Sequence, residues 1–125
     1  MSVAPFLGTH ERLEVWQKSM ELLAECYRIA QRLPPHELYG LGGQLRRAAL
    51  SVPTNIAEGC GPLGAGDRLR FLSFARGSLC EIQSLLAAAE LLGYATATDL
   101  GPARDLLGQS SRFLSGLRRY LISKR

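Results

Sequence analysis

Four apolar-periodic segments, cut apart by proline and glycine, constrain this chain more than any other feature. The third is the clearest. Leu72, Ala75, Leu79, Ile82, Leu86 and Ala89 hold a strict 3-4-3-4-3 spacing, the seam of a helix packed in a bundle. That period keeps its members on one face of an α-helix, whereas on a strand they would scatter over both faces. The same reading predicts helices over about 11–33, 37–58, 67–92 and 98–123, and none of the four alternates like a strand. In the first, Trp16, Met20, Leu23, Tyr27 and Ala30 form the expected core stripe. In the second it is Leu41, Leu45, Ala48, Val52 and Ile56, and in the fourth Ala103, Leu107, Ser110, Leu114, Leu117 and Leu121. A chain of 125 residues holds one such core, so residues 1–125 read as a single domain. The fold class is all-α, and connections this short force consecutive helices to lie antiparallel, as an up-down-up-down four-helix bundle.

The breakers set the expected ends. Pro34-Pro35 stop the first helix. Pro53 falls inside the second, where a proline costs ~3 kcal/mol, so this helix is expected to kink at Pro53 or to divide there. Gly59 ends it and opens a glycine-rich connection as far as Gly66. Asp67 reads as the N-cap of the third helix and Gly93 as its stop. Thr98 reads as the cap of the fourth, with Pro102 in its first turn.

Unrolled at 100° per residue, the first helix carries more apolar surface than one bundle core takes up. Beside the stripe through Trp16 lies a second arc of Val15, Leu22, Cys26 and Ile29, and together they span about 200°, against the ≳100° of an ordinary surface helix. Glu14, Lys18, Glu21, Glu25, Arg28 and Arg32 fill the rest. In the third helix Phe71, Phe74, Leu85 and Leu92 fall outside the seam. A second stripe asks for a second partner, which for a one-domain chain is another copy of itself. The expected oligomer interface is therefore Val15, Leu22, Ile29, Phe71 and Phe74. The alternative is that these residues cap the bundle ends or meet an arm at Phe6-Leu7.

Charge suggests a partner without demanding one. Fifteen Lys+Arg against eleven Asp+Glu leave a net +4. In the fourth helix Arg104, Arg112, Arg118 and Arg119 fall on one side of the wheel, and Lys124 and Arg125 follow. Such a ridge suits the phosphates of RNA or DNA. No aromatic residue interleaves it, so base stacking is not expected. The bland reading is a solvated face with cations near a helix C-terminus. Several assembled copies would multiply this charge, turning a weak one into a multivalent one.

Catalytic motifs do not emerge. Cys26, Cys60 and Cys80 are odd in number and lack CxxC spacing, so they read as free, buried thiols of a cytoplasmic protein. His10 and His36 are the only histidines and both lie outside the helix interiors. No Glu-x-x-His, HExxH, GxxxxGK[ST] or GxSxG occurs, so no catalytic residue, metal or cofactor is expected. The N-terminus does not read as a secretory signal, and the least charged stretch, 71–92, still carries Arg76, Glu81 and Glu90, so no membrane span is expected. The polar residues around Pro53 read as a structural network: Asn55 takes up the carbonyls freed by the proline, and Arg46 or Arg47 pairs with Glu58 or Glu81. The rival reading is a small-ligand or enzyme site at Arg46, Asn55 and Glu58.

Several of these residues fall in runs with a known likeness. Leu13-Glu14-Val15-Trp16-Gln17-Lys18, Tyr39-Gly40-Leu41, Gln44-Leu45-Arg46-Arg47-Ala48-Ala49 and above all Ser51-Val52-Pro53-Thr54-Asn55-Ile56-Ala57-Glu58-Gly59 resemble the four-helix-bundle family of the 23S ribosomal RNA intervening sequences. Phe71-Leu72, Gly77-Ser78-Leu79, Glu81 and Leu92-Gly93-Tyr94 continue the likeness, which covers about residues 11–122. The resemblance implies an antiparallel four-helix bundle that assembles into a ring-shaped homopentamer, with an undefined biochemical role. A related branch, the accessory variability protein of diversity-generating retroelements, is basic, binds nucleic acid and associates with a reverse transcriptase. The reading that results is a non-enzymatic homopentameric scaffold or adaptor. Its partners would be itself, RNA or DNA at the fourth-helix ridge, or another protein.

Overall fold

The computed structural model describes residues 10–124. Four α-helices make up the fold: α1 Glu14–Arg32, α2 Leu41–Gly59, α3 Ala65–Leu91 and α4 Ala97–Ser123. Two 3-10 turns, His10–Arg12 and Pro35–Glu37, precede α1 and α2. α1 packs on α2 and α4, and α3 packs on the same two helices, so all four surround one core. Residue pairs give the direction of two neighbours. Ser51 bonds Ser78 while Gly59 lies against Leu72, so α2 and α3 run in opposite senses. Glu90 pairs with Arg104 while Leu79 and Leu114 line one cavity, so α3 and α4 do too.

All six seam residues of α3 are buried, from Leu72 to Ala89. Leu45, Ala48, Val52 and Ile56 of α2 and Ala103, Leu107, Ser110 and Leu114 of α4 are buried as their stripes predict, while Leu41, Leu117 and Leu121 are half-buried.

α1 departs from the expectation, since of its predicted stripe only Ala30 is buried. Val15, Leu22, Cys26 and Ile29 enter the core together with Ser19, whereas Met20 and Tyr27 stay exposed and Trp16 and Leu23 half-buried. The inner arc carries compact apolar side chains that fill the core, while the indole and the phenol each keep a polar atom better at the rim. Ser19 fits among them, because its hydroxyl donates back to the Trp16 carbonyl at 2.7 Å and leaves no bare polar group in the core.

The helix ends differ by a few residues, each for a local reason. α1 begins at Glu14 because Leu13 is extended (ψ 131°), and ends at Arg32 because Leu33 precedes Pro34 and is extended as well. α2 starts only at Leu41, where Glu37 Oε1 accepts from the Leu41 N–H at 2.9 Å and does the work of a cap from three residues before the N-cap Gly40. α3 begins at Ala65 behind Gly64, so Asp67 is not the cap but an acid in the first turn, favourable to the helix dipole. Its C-terminus closes on Gly93 at φ 79°, with Gly93 N–H on the Glu90 carbonyl and Tyr94 N–H on that of Ala89, the paired bonds of a Schellman ending. α4 is capped by Thr96, not Thr98. The Thr96 hydroxyl accepts from Asp99 N–H at 3.1 Å, and the Asp99 carboxylate accepts from Thr96 N–H at 3.0 Å. Pro102 therefore lies past the first turn. α2 is continuous through Pro53.

Candidate interaction surfaces

The basic residues of α4 do not form one free row. Arg104 is bound to Glu90 at 2.7 Å, and Lys124 lies over the Tyr120 ring, 5.6 Å from its centroid. Arg118 is half-buried and its Nε–H meets no acceptor among the described residues. Arg112 and Arg119 are exposed and take part in no ion pair among the described residues. Arg125 lies outside the described residues.

Arg118 lines a cavity of about 120 Å³ between α3 and α4 with Arg76, Cys80, Gln83, Ser111 and Ser115, over an apolar floor of Leu79, Leu107 and Leu114. The polar residues come from two rows, Arg76, Cys80 and Gln83 on α3 and Ser111, Ser115 and Arg118 on α4, each at i, i+4, i+7. That spacing keeps each row on one helix face. Within the sequence each row is only a polar stripe beside a core seam. Nothing in it says that the two stripes meet.

The residues flanking Pro53 are not gathered into one network. Asn55 is half-buried, and its amide donates to the Ser51 carbonyl at 2.8 Å. Thr54 Oγ1 donates to the Leu50 carbonyl at 3.0 Å. Pro53 frees the Ala49 carbonyl, so Asn55 mends the turn beside the gap and not the gap itself. Arg46 donates to the Leu38 carbonyl at 2.8 Å. Arg47, Glu58 and Glu81 are exposed, and among the described residues no ion pair joins an arginine to Glu58 or Glu81. The expected arginine–glutamate pairing is thus corrected: Arg46 secures the turn into α2 instead.

A polar cluster that sequence reasoning did not find lies where the α1–α2 and α3–α4 connections meet. The Tyr94 hydroxyl donates to Glu37 Oε2 at 3.0 Å, and His36 Nε2 lies 3.3 Å from the same hydroxyl. The Leu41 N–H and then the Tyr94 hydroxyl hold the Glu37 carboxyl below the usual range, and in return the carboxylate raises Tyr94. The pairing spans 57 residues of sequence, which no local pattern reveals. Leu38, Tyr39, Leu91 and Leu92 are exposed in these connections and the adjoining helix ends.

Of the expected oligomer interface, Val15, Leu22 and Ile29 are 3%, 0% and 6% exposed and already committed to the core of one chain, so that assignment is corrected. Phe71 is half-buried and Phe74 exposed, with ring centroids 6.0 Å apart in edge contact. On the other arc of α1 Met20 and Tyr27 are exposed, while Trp16 and Leu23 are half-buried against the core; Leu50 of α2 is exposed as well.

The thiols are free, as expected, but not all buried: Cys26 is buried, Cys60 half-buried and Cys80 exposed. Burial pushes the Cys26 thiol up to about 12, with the Glu25 charge adding to it, which leaves it inert as a nucleophile at neutral pH. Among the described residues no three His, Cys, Asp or Glu side chains are grouped so as to hold a metal ion. No helix of the described residues is long and apolar enough to cross a membrane.

Compared with protein families, the chain matches the model of the family described as 23S rRNA-intervening sequence protein over residues 11–116. No curated protein matches it.

Proposed function

The chain belongs to the 23S rRNA-intervening sequence protein family, and from that premise we propose that it is a self-assembling, non-catalytic scaffold or adaptor of the cytoplasm. One observation carries this reading. Met20 and Tyr27 are 39% and 38% exposed on the outer stripe of α1, beside the half-buried Trp16 and Leu23, and Leu50 on the neighbouring α2 is 46% exposed. Apolar side chains at helical spacing on an outer face mark a protein interface. With identical chains available, a closed symmetric assembly is the economical way to cover them. The stoichiometry proposed is the homopentamer that the family resemblance implies. Light scattering at micromolar concentration tests it: five copies of a 13.7 kDa chain weigh about 68 kDa, and a monomer of 13.7 kDa overturns the proposal. Met20→Glu with Tyr27→Glu should lower the mass while leaving the helix content unchanged.

A second reading is contact with RNA or DNA, favoured by Arg112 and Arg119, which are exposed on α4 and free of ion pairs among the described residues. Titration with duplex at 50 and 200 mM salt reads it out, since log K falls with a slope of about −0.9 per phosphate contact. Absence of binding at the lower salt removes this arm and leaves an adaptor for proteins alone.

A further inference from the structure

We infer that the α3–α4 cavity is a seat for a phosphoryl group or similar tetrahedral oxyanion, held by Arg76 and Arg118. Four observations converge on it. The cavity holds about 120 Å³, room for several waters at roughly 30 Å³ each and therefore for one small polyatomic anion. Its polar rim consists of Arg76, Cys80, Gln83, Ser111, Ser115 and Arg118, with no acidic side chain among them. Neither arginine is spent on a carboxylate among the described residues. The Arg118 Nε–H is withdrawn from solvent and has no acceptor among the described residues. A buried N–H of a charged group left unmatched is costly, and an anion in the cavity would supply what it lacks. Two guanidinium forks from facing helices suit an oxyanion with several free oxygens better than a single carboxylate, because each fork takes two oxygens in parallel. The two serine hydroxyls and the Gln83 amide add neutral donors.

This seat differs from the exposed Arg112 and Arg119, and it does not depend on assembly. Its chemistry is that of a phosphate, whether free, terminal on a nucleotide chain or within a backbone.

Cys80 lines the same cavity and is exposed, so its alkylation reports occupancy. The full-length protein is labelled with iodoacetamide, a neutral reagent, in inorganic phosphate and in chloride of matched ionic strength, and the rate at Cys80 is read by mass spectrometry. Phosphate is expected to slow Cys80 at least threefold. Cys60, outside the cavity, should keep its rate and serves as the internal control. In Arg76→Gln/Arg118→Gln the slowing should vanish, with circular dichroism showing that the variant stays folded; Arg76→Gln alone, at an exposed position, gives the same comparison with little risk to the fold. Equal rates in phosphate and chloride, or protection that survives in both variants, overturn the proposal. Short oligonucleotides with and without a 5′-phosphate then separate the sources. Added protection by the phosphorylated form alone places a terminal phosphomonoester in the seat, protection by both places a backbone phosphate there, and protection by neither leaves free phosphate as the occupant. Loss of duplex binding with phosphate protection retained would remove the nucleic-acid reading and keep the seat.

Discussion

Leu22→Ala separates the two sides of α1. Leu22 is 0% exposed and belongs to the core cluster. Truncation removes three carbon atoms from contact, and at about 0.8 kcal/mol per methylene the transfer loss is ~2.4 kcal/mol. Because the four helices cannot close up fully around the gap, the cavity adds to this, for a total of about 3–5 kcal/mol. For a chain of this length each kcal/mol moves Tm by roughly 3–5 °C, so a fall of about 10–20 °C is expected. Met20→Ala, at a side chain 39% exposed on the other arc, should cost well under 1.5 kcal/mol within one chain and act on the assembled mass instead. Urea unfolding of both variants at protein concentrations spanning two decades is the assay. The Leu22→Ala deficit should persist at the lowest concentration, where subunits separate, whereas any Met20→Ala deficit should shrink there. If Leu22→Ala changed the mass and left the unfolding of the separated chain intact, the inward placement of this arc would be wrong.

Two helical glycines, Gly42 in the first turn of α2 and Gly77 in the middle of α3, should respond oppositely to alanine. A Cβ on Gly42 would stand 2.9 Å from the Glu37 carbonyl oxygen, whereas on Gly77 it would meet nothing within 4 Å. Gly42→Ala is thus expected to cost about 1–3 kcal/mol by overpacking and Gly77→Ala to gain about 0.5–1 kcal/mol from helix propensity, both read from urea midpoints. Acid should weaken the fold through Glu37 and Asp99, whose carboxyls are lowered by the Leu41 and Thr96 N–H groups respectively. A depressed folded pKa stabilises above the unfolded value and is lost as pH falls through the folded one. The decline should therefore begin as pH drops below the ordinary carboxylate range of about 4, and Glu37→Gln should flatten it. Alkylation of the native protein should modify Cys80 first and Cys60 slowly, reaching the buried Cys26 only on unfolding, as resolved by peptide mapping over time.

Much of the fold is legible in local pattern. Every seam residue of α3 is buried because a 27-residue helix in a four-helix core has one face to hide, and only one face of this helix is continuously apolar. Pro34 and Gly93 mark helix ends because they act through their own backbone, whatever surrounds them. The candidate sites were far less legible. Arg76 and Arg118 lie 42 positions apart, and each looks like an ordinary solvated cation until α3 and α4 are laid side by side. Glu37 and Tyr94 meet only because two connections share an end of the bundle.

α1 shows the division most clearly. Its amino acids alone determine that it is a helix, amphipathic, with one charged side and two adjoining apolar arcs. Which arc turns inward is not a property of α1. Its packing against α2 and α4 decides it, by burying Val15, Ser19, Leu22 and Cys26 and leaving Trp16 and Tyr27 to the rim. Close packing depends on the shapes of both surfaces. A periodic pattern therefore determines that a face exists, and only the assembled core selects the face that is buried.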